Sequence, residues 1–364
     1  MSINMKLGFG LMRLPEKDGN VDLEHVNKMV DLYMERGFGY FDTAYVYHNG
    51  LSEGILKTCV ADRKPRDSYM VATKMPIYSI KEEGDAEKFF ATQMERTGLD
   101  YFDYYMLHAL GKGTYEGANK QFGVWDFLQR MKAEGKCRRI GFSFHDKPEV
   151  LDTILSEMPN VDFVMLQINY LDWDCPNVRA REMYEIVRAR GIDVLVMEPV
   201  RGGSLAAFTG EIRDMMVAAN PNVSIASWAI RFANSLPGVI GLLSGMSNEE
   251  QMMDNLNTMT ELPTLTDDEF AMLAKIADII RATPTIGCTS CKYCLEYCPE
   301  KIEIHRVISA LNHNSKYGSL SGFHNPQPLM ESAAKCIACG QCEPPCPQVI
   351  DIRGAMSKAG ELVK

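Results

Sequence analysis

A chain of 364 residues is long enough for one large domain and a second, smaller one. Its net charge of −10 argues against nucleic acid or an anionic membrane surface as the main partner. A hydrophobic content of 46% is ordinary for a globular core, and no apolar run approaches the length of a membrane span.

The N-terminal stretch from Met1 to Pro15 contains Arg13 and lacks a small-residue cleavage pattern after a hydrophobic core, so no signal peptide is expected. From Lys6 to about Leu256, short apolar strands alternate with longer helical patterns. Leu7–Met12 reads as a strand, and Leu23–Arg36 as an amphipathic helix closed by Gly37. Further strands are predicted at Tyr40–Phe41, Tyr69–Ala72, Tyr104–Leu107, Arg139–Phe142, Phe163–Leu166, Asp193–Met197 and Val239–Leu243. Helices are predicted near Glu53–Val60, Ala86–Arg96, Val124–Glu134, Pro148–Ser156, Val178–Arg190, Ser224–Asn234 and Glu249–Asn255. Eight βα units in about 250 residues match a (β/α)8 TIM barrel. A doubly wound sheet is the rival, but no GxGxxG follows the first strand.

After the barrel, Thr266-Asp-Asp-Glu269 is a capping box opening a helix through about Ile280, expected on the outside of the barrel. Thr283-Pro284-Thr285 reads as the join, dividing the chain into 1–282 and 283–364. Eight of the eleven cysteines then fall into two copies of one spacing. They are Cys288, Cys291, Cys294 and Cys298 before Pro299, and Cys336, Cys339, Cys342 and Cys346 before Pro347.

Both copies read CxxCxxCxxxCP, the run that wraps [4Fe–4S] clusters in bacterial ferredoxins. Three thiolates of one run converge on a cubane, and the fourth reaches the neighbouring cluster. One cluster would take Cys288, Cys291, Cys294 and Cys346, the other Cys336, Cys339, Cys342 and Cys298. Zinc is usually held by two separated CxxC pairs, and disulfides suit secreted chains. The expectation is a small α+β, ferredoxin-like domain with two [4Fe–4S] clusters, in a reducing cytoplasm. Ile304–Leu311 reads as a short helix between the runs, and His313–Pro328 as a loop. Cys59, Cys137 and Cys175 read as small buried thiols, although Cys175, beside Trp173 and Asp174, could also touch substrate.

In a TIM barrel, chemistry sits where strands end and βα loops begin. Asp42, Lys74 and His108 occupy corresponding places at three neighbouring strand ends, with Tyr47 in the loop beyond the first. A tyrosine with a reference pKa of about 10 is a poor acid or base at neutral pH. A nearby ammonium favours its phenolate, a carboxylate can hold that lysine, and a histidine can hydrogen-bond a substrate oxygen. Alone, each residue has a bland reading as a cap, a buried ion pair or a core histidine. Together they form a proton-transfer set.

On Asp42-Thr-Ala-Tyr-Val-Tyr47 with Gly50 and Glu53, on Thr73-Lys74 and on Leu107-His108, the chain resembles the aldo-keto reductases. With the cysteine runs, it resembles the subgroup fused to a ferredoxin-type domain. The resemblance implies reduction of a small carbonyl substrate by hydride from NAD(H) or NADP(H). Tyr47 would be the general acid, Lys74 would tune it, Asp42 would orient Lys74, and His108 would position the carbonyl.

It also implies cofactor contacts. Ser143 and Gln167 match the carboxamide positions, but Phe144 stands where asparagine is expected. Met197 stands where an aromatic usually stacks on the nicotinamide. Glu198-Pro-Val-Arg201-Gly202-Gly203 resembles a pyrophosphate-side loop, in which Arg201 could meet pyrophosphate or a substrate carboxylate. Gly245, Gln251 and Asn255 fall on the adenosine side. Gly245, Ser247 and Gln251 stand where basic residues would hold a 2′-phosphate, which favours NADH over NADPH.

Nicotinamide moves two electrons as hydride, whereas each cluster moves one. Three functions therefore remain open on the sequence. One is a carbonyl reductase with accessory clusters. The second is an electron-transfer protein whose barrel receives electrons or docks a ferredoxin- or flavodoxin-type partner. The third is a non-catalytic nicotinamide-binding module.

Overall fold

The structure, a computed structural model, describes residues 3–282, 285–317, 320 and 326–362. Eight parallel strands close into a barrel: β1 (Asn4–Gly10), β2 (Phe38–Asp42), β3 (Met70–Met75), β4 (Phe102–Leu110), β5 (Cys137–Phe144), β6 (Phe163–Gln167), β7 (Asp193–Met197) and β8 (Val239–Ser244). Each pairs with the next, and β8 returns to β1 in the register Leu7↔Leu242. All eight predicted strands are present, most extended by one to three residues.

Side chains alternate across a strand, so each strand feeds two layers. Tyr40, Ala72, Tyr104, Met106, Phe163, Met165 and Leu195 fill the barrel interior. Their neighbours Phe41, Val71, Phe142, Val164 and Val194 point outward into the larger core under the helices. Gly141 is needed where β5 meets β6, because a Cβ there would stand 2.1 Å from the Phe163 carbonyl oxygen.

The predicted helices are also present, at Leu23–Glu35, Asp85–Thr97, Val124–Ala133, Pro148–Glu157, Ala180–Ala189, Ile225–Asn234 and Glu249–Glu261, with Ser52–Leu56 running into a wider turn at Lys57–Ala61. The capping box forms reciprocally: Glu269 N–H donates to Thr266 Oγ1, and Thr266 N–H to the Glu269 carboxylate. Its helix runs Asp267–Ala282 and packs Leu273, Ile276 and Ala277 into the outer core. A further helix, Gly210–Ala219, went unpredicted because only Met216 is buried on it.

A second core gathers Ile302, Val307, Ile308, Met330, Ile352 and Met356 around the cysteine runs. Among the described residues this domain is helices and loops without a strand, unlike the expected α+β make-up. The helix from Ile304 continues to Tyr317, through residues expected to be loop. Asn312 accounts for the extension, since its side chain both accepts from and donates to the Ile286 backbone at 2.7 Å. A second helix, Pro326–Ala333, covers the end of the expected loop, and a third spans Ile352–Glu361. Residues 283–284 of the expected join, and 318–319 and 321–325 of the expected loop, lie outside the described residues.

Two substitutions test this account by urea unfolding. Thr266→Ala removes a helix cap and lowers stability by about 1 kcal/mol. Gly141→Ala forces a strand off a backbone carbonyl and costs about 1–3 kcal/mol.

Candidate active site and cluster cavities

The alternation that fills the barrel interior also places Asp42 two residues after Tyr40, Lys74 two after Ala72, and His108 two after Met106. All three project inward at the mouth. Lys74 Nζ donates to Asp42 Oδ1 at 2.5 Å and to the Thr43 carbonyl at 2.8 Å. Both charged side chains are buried. Burial pushes the ammonium down and the carboxyl up, and their mutual attraction opposes both. Behind them Glu53, fully buried, accepts from Thr73 Oγ1 and Gln93 Nε2 at 2.7 Å each. Gln93 also donates to the Lys74 carbonyl, which pins the end of β3.

Tyr47 comes from the loop after β2. Lys74 Nζ lies 4.7 Å from its ring centroid, over the face and not at the hydroxyl. Burial first, then the Asp42 carboxylate, holds the Tyr47 phenol well above its ordinary range. Its resting state is therefore the protonated phenol rather than a phenolate.

His108 owes its aim to a break in β4. The pairing with β5 shifts register between Leu107 and Leu110, Ala109 adopts φ +54°, and its N–H donates to Ser143 Oγ at 2.8 Å. Burial, then the Lys74 ammonium, holds His108 well below its usual range, so the imidazole is neutral. Tyr78 Oη stands 3.4 Å from His108 Nδ1. Burial keeps the Tyr78 hydroxyl protonated, and which of the two groups donates is set by the His108 tautomer. The Tyr47 ring meets His108 edge-on at 5.9 Å. Tyr78 was not singled out from sequence; it lies four residues past Lys74 in a loop without a motif.

The expected cofactor residues divide into two groups. Ser143 and Gln167 are buried at adjoining strand ends, and Met197 lies opposite Gln167 in the β6–β7 register. Gln167 Nε2 is held by Asp172 at 2.7 Å, while its Oε1 is buried without a partner. An orphan acceptor beside a serine hydroxyl suits a carboxamide. By contrast, Phe144 is core, packed on Phe142. On the adenosine side, Asn255 donates to Ser244 Oγ, Gln251 accepts from the Ser247 N–H, and Gly245 packs on Arg13.

The Glu198–Gly203 strip is engaged by the second domain. Arg201 Nε donates to Asp172 at 3.0 Å, while Nη2 donates to Gln348 at 2.7 Å. Arg13, 3.8 Å from Glu198, donates to the Thr289 carbonyl. Thr289 also lies so close to Gly202 that a Cβ there would stand 2.4 Å from its carbonyl oxygen. Glu198 and Arg201 both hold left-handed φ, +55° and +49°, in this tightly tied turn. The expected nicotinamide end thus offers a free buried acceptor, whereas the expected pyrophosphate strip is covered by the Thr289 loop. The Asp172–Arg201 pair was invisible in the sequence, because its members lie 29 residues apart. Cys175 packs against the outer core and does not join the site.

The eight run cysteines line two cavities. Cys288, Cys291, Cys294 and Cys346 share one with Ile304, Ile308 and Ile352. Cys298, Cys336, Cys339 and Cys342 share another with Ile302, Ile337 and Met356. Four thiols lining one cavity suit an iron–sulfur cubane.

The barrel matches the aldo/keto reductase family profile over residues 6–278. The chain belongs to the aldo/keto reductase family. Residues 284–350 match a 4Fe-4S dicluster domain. Among curated relatives, the L-galactose dehydrogenase of Arabidopsis thaliana is 26% identical over 282 residues, covering 72% of this chain and 86% of the plant protein. The glyoxal reductase of Bacillus subtilis is 27% identical over 233 residues, covering 62% and 73%. A solved aldo-keto reductase from Bacillus halodurans superposes with a TM-score of 0.60 at 24% identity, covering 74% of this chain and 91% of its own. That likeness supports the fold. The protein is an oxidoreductase of this family with an iron–sulfur domain, and no helix among its described residues is long and apolar enough to cross a membrane.

Removing Asp172 leaves the buried Arg201 guanidinium and the Gln167 and Asn169 amides without their shared acceptor. Asp172→Ala is expected to cost about 3–5 kcal/mol, read as a lowered midpoint in chemical denaturation.

Proposed function

We propose that this protein reduces the carbonyl of a small aldehyde or ketone to the alcohol at the barrel mouth, with Tyr47 as the proton donor. The observation that carries the reading is the buried Asp42–Lys74 pair beneath a protonated Tyr47, beside a neutral His108. The carbonyl oxygen would sit between Tyr47 Oη and His108 Nε2–H. As negative charge develops there, His108 donates a hydrogen bond and Tyr47 transfers its proton. Asp42 holds Lys74 in place, and the ammonium stabilises the phenolate left on Tyr47.

NAD(H) or NADP(H), when bound, supplies or takes the hydride at the carbonyl carbon. Gln167 and Ser143 would hold its carboxamide, while Arg201 and Gly202 could meet the pyrophosphate only after Thr289 leaves the strip. Gly245, Ser247 and Gln251 supply no cation for a 2′-phosphate, and the Arg13 side chain beside Gly245 is engaged by the Thr289 carbonyl, so NADH is favoured over NADPH. Two [4Fe–4S] clusters are proposed in the two cysteine-lined cavities. The outer cavity carries the exposed Cys339, which faces the side where a ferredoxin- or flavodoxin-type carrier could approach. A reducing cytoplasm remains the compartment that suits these thiols.

Tyr47→Phe should lower kcat by about 10²–10⁴-fold, the usual worth of a general acid; a variant with full carbonyl reductase activity would sink the assignment. Cys346→Ala and Cys298→Ala should each lose about half of the bound iron and sulfide. Low-temperature EPR of the reduced variants should show a different surviving cluster in each. One shared signal would refute the crossed ligand sets.

A further inference from the structure

The loop after β3 carries a side chain that reaches the His108 ring. β3 ends at Met75, and Pro76 starts a single tight turn, Ile77–Ser79, in which the Ser79 N–H donates to the Pro76 carbonyl at 2.8 Å. Ile77 and Ile80 are buried and anchor this turn in the outer core. Tyr78, between them, is left 37% exposed at the barrel mouth. Its ring lies 5.7 Å from the His108 ring at a 54° tilt, and its Oη stands 3.4 Å from Nδ1. Tyr47 and Tyr293 are in edge contact with the same imidazole, at 5.9 and 6.5 Å. Among the described residues, the one hydrogen bond of the His108 ring is to Tyr78.

We infer that Tyr78 is a positioning residue of the candidate site, whose hydroxyl donates to His108 Nδ1 and so keeps the ring's single N–H on Nε2, toward the carbonyl oxygen. This rests on His108 binding that oxygen, as proposed above. A neutral imidazole carries one N–H, and its two nitrogens then take opposite roles. With Nδ1 as acceptor, Nε2–H donates to an oxygen that gains negative charge. With the proton on Nδ1, Nε2 presents a lone pair and repels the same oxygen. The other neighbours do not choose between these states. Lys74 and His145 disfavour a second proton on the ring, while Tyr47 and Tyr293 fix its plane through edge contacts. The selection falls to Tyr78. A separation of 3.4 Å is long for a hydrogen bond, and bonds of this kind often shorten once a substrate completes the site.

The test uses NMR of the full-length, cluster-loaded, oxidised protein, isotopically labelled at the histidine nitrogens, as wild type and as Tyr78→Phe. The His108 resonances are identified by their loss in His108→Asn. In the wild type the proton should lie on Nε2, and Nδ1 should show the shift of a hydrogen-bonded acceptor. Tyr78→Phe keeps the ring and its packing, so only loss of the hydroxyl should move the Nδ1 resonance and bring in the other tautomer. With a small aldehyde, kcat should fall about 2–10-fold, the worth of one hydrogen bond, with KM near its original value and iron and sulfide content unchanged. A wild-type proton on Nδ1 would overturn the inference without any variant. An unmoved Nδ1 resonance in Tyr78→Phe, or an unchanged kcat where the wild type is active, would do the same. If the wild type reduces no aldehyde or ketone, carbonyl reduction falls as a reading, while the nitrogen shifts still decide whether Tyr78 sets the tautomer.

Discussion

A lysine ammonium taken out of water is tolerated only where its charge and its hydrogens are matched, and Lys74 sets that condition for the whole barrel mouth. Asp42 supplies the charge and the Thr43 carbonyl a further acceptor. Both come from the end of β2, so β2 and β3 must keep their register for the pair to form. Glu53, Thr73 and Gln93 form a second buried layer that holds the β3 end. Replacing one partner would strand a buried charge, which costs far more than the pair contributes. Tyr47, the proposed proton donor, thus rests on an electrostatic floor.

On that floor the protonation states divide. Burial keeps Tyr47 a phenol and His108 a neutral imidazole, while Lys74 and Asp42 remain an ion pair. One group can give a proton, and the other, in the tautomer whose Nδ1 accepts from Tyr78, can donate a hydrogen bond through Nε2. This division suits an oxygen that gains negative charge and then a proton.

The iron–sulfur domain makes this barrel unlike a free-standing one. Its first cysteine run reaches Gly202, Arg13 and His108, so the walls of the candidate site and of the first cysteine-lined cavity both draw on residues 288–294. Thr289 covers the strip that a dinucleotide would follow.

Much of this was legible in the chain. The period-two alternation specified the inner face, so Asp42, Lys74 and His108 could be aligned at three strand ends before any coordinates. The CxxCxxCxxxCP spacing implied two four-thiol sets that cross between runs, because the spacing encodes the reach of the backbone. Local chemistry of that kind is carried by neighbours a few residues apart. Tyr78 on His108, Asp172 on Arg201 and Tyr293 on His108 join residues 29 to 185 positions apart, with no motif to mark them. The helix through His313 likewise depended on Asn312 finding the Ile286 backbone. By itself the sequence determined the barrel, the tetrad and the cluster runs, since each follows from periodicity or spacing along the chain. Only the tertiary structure decided that the cluster domain closes the reductase mouth, because packing between distant surfaces leaves no periodic trace.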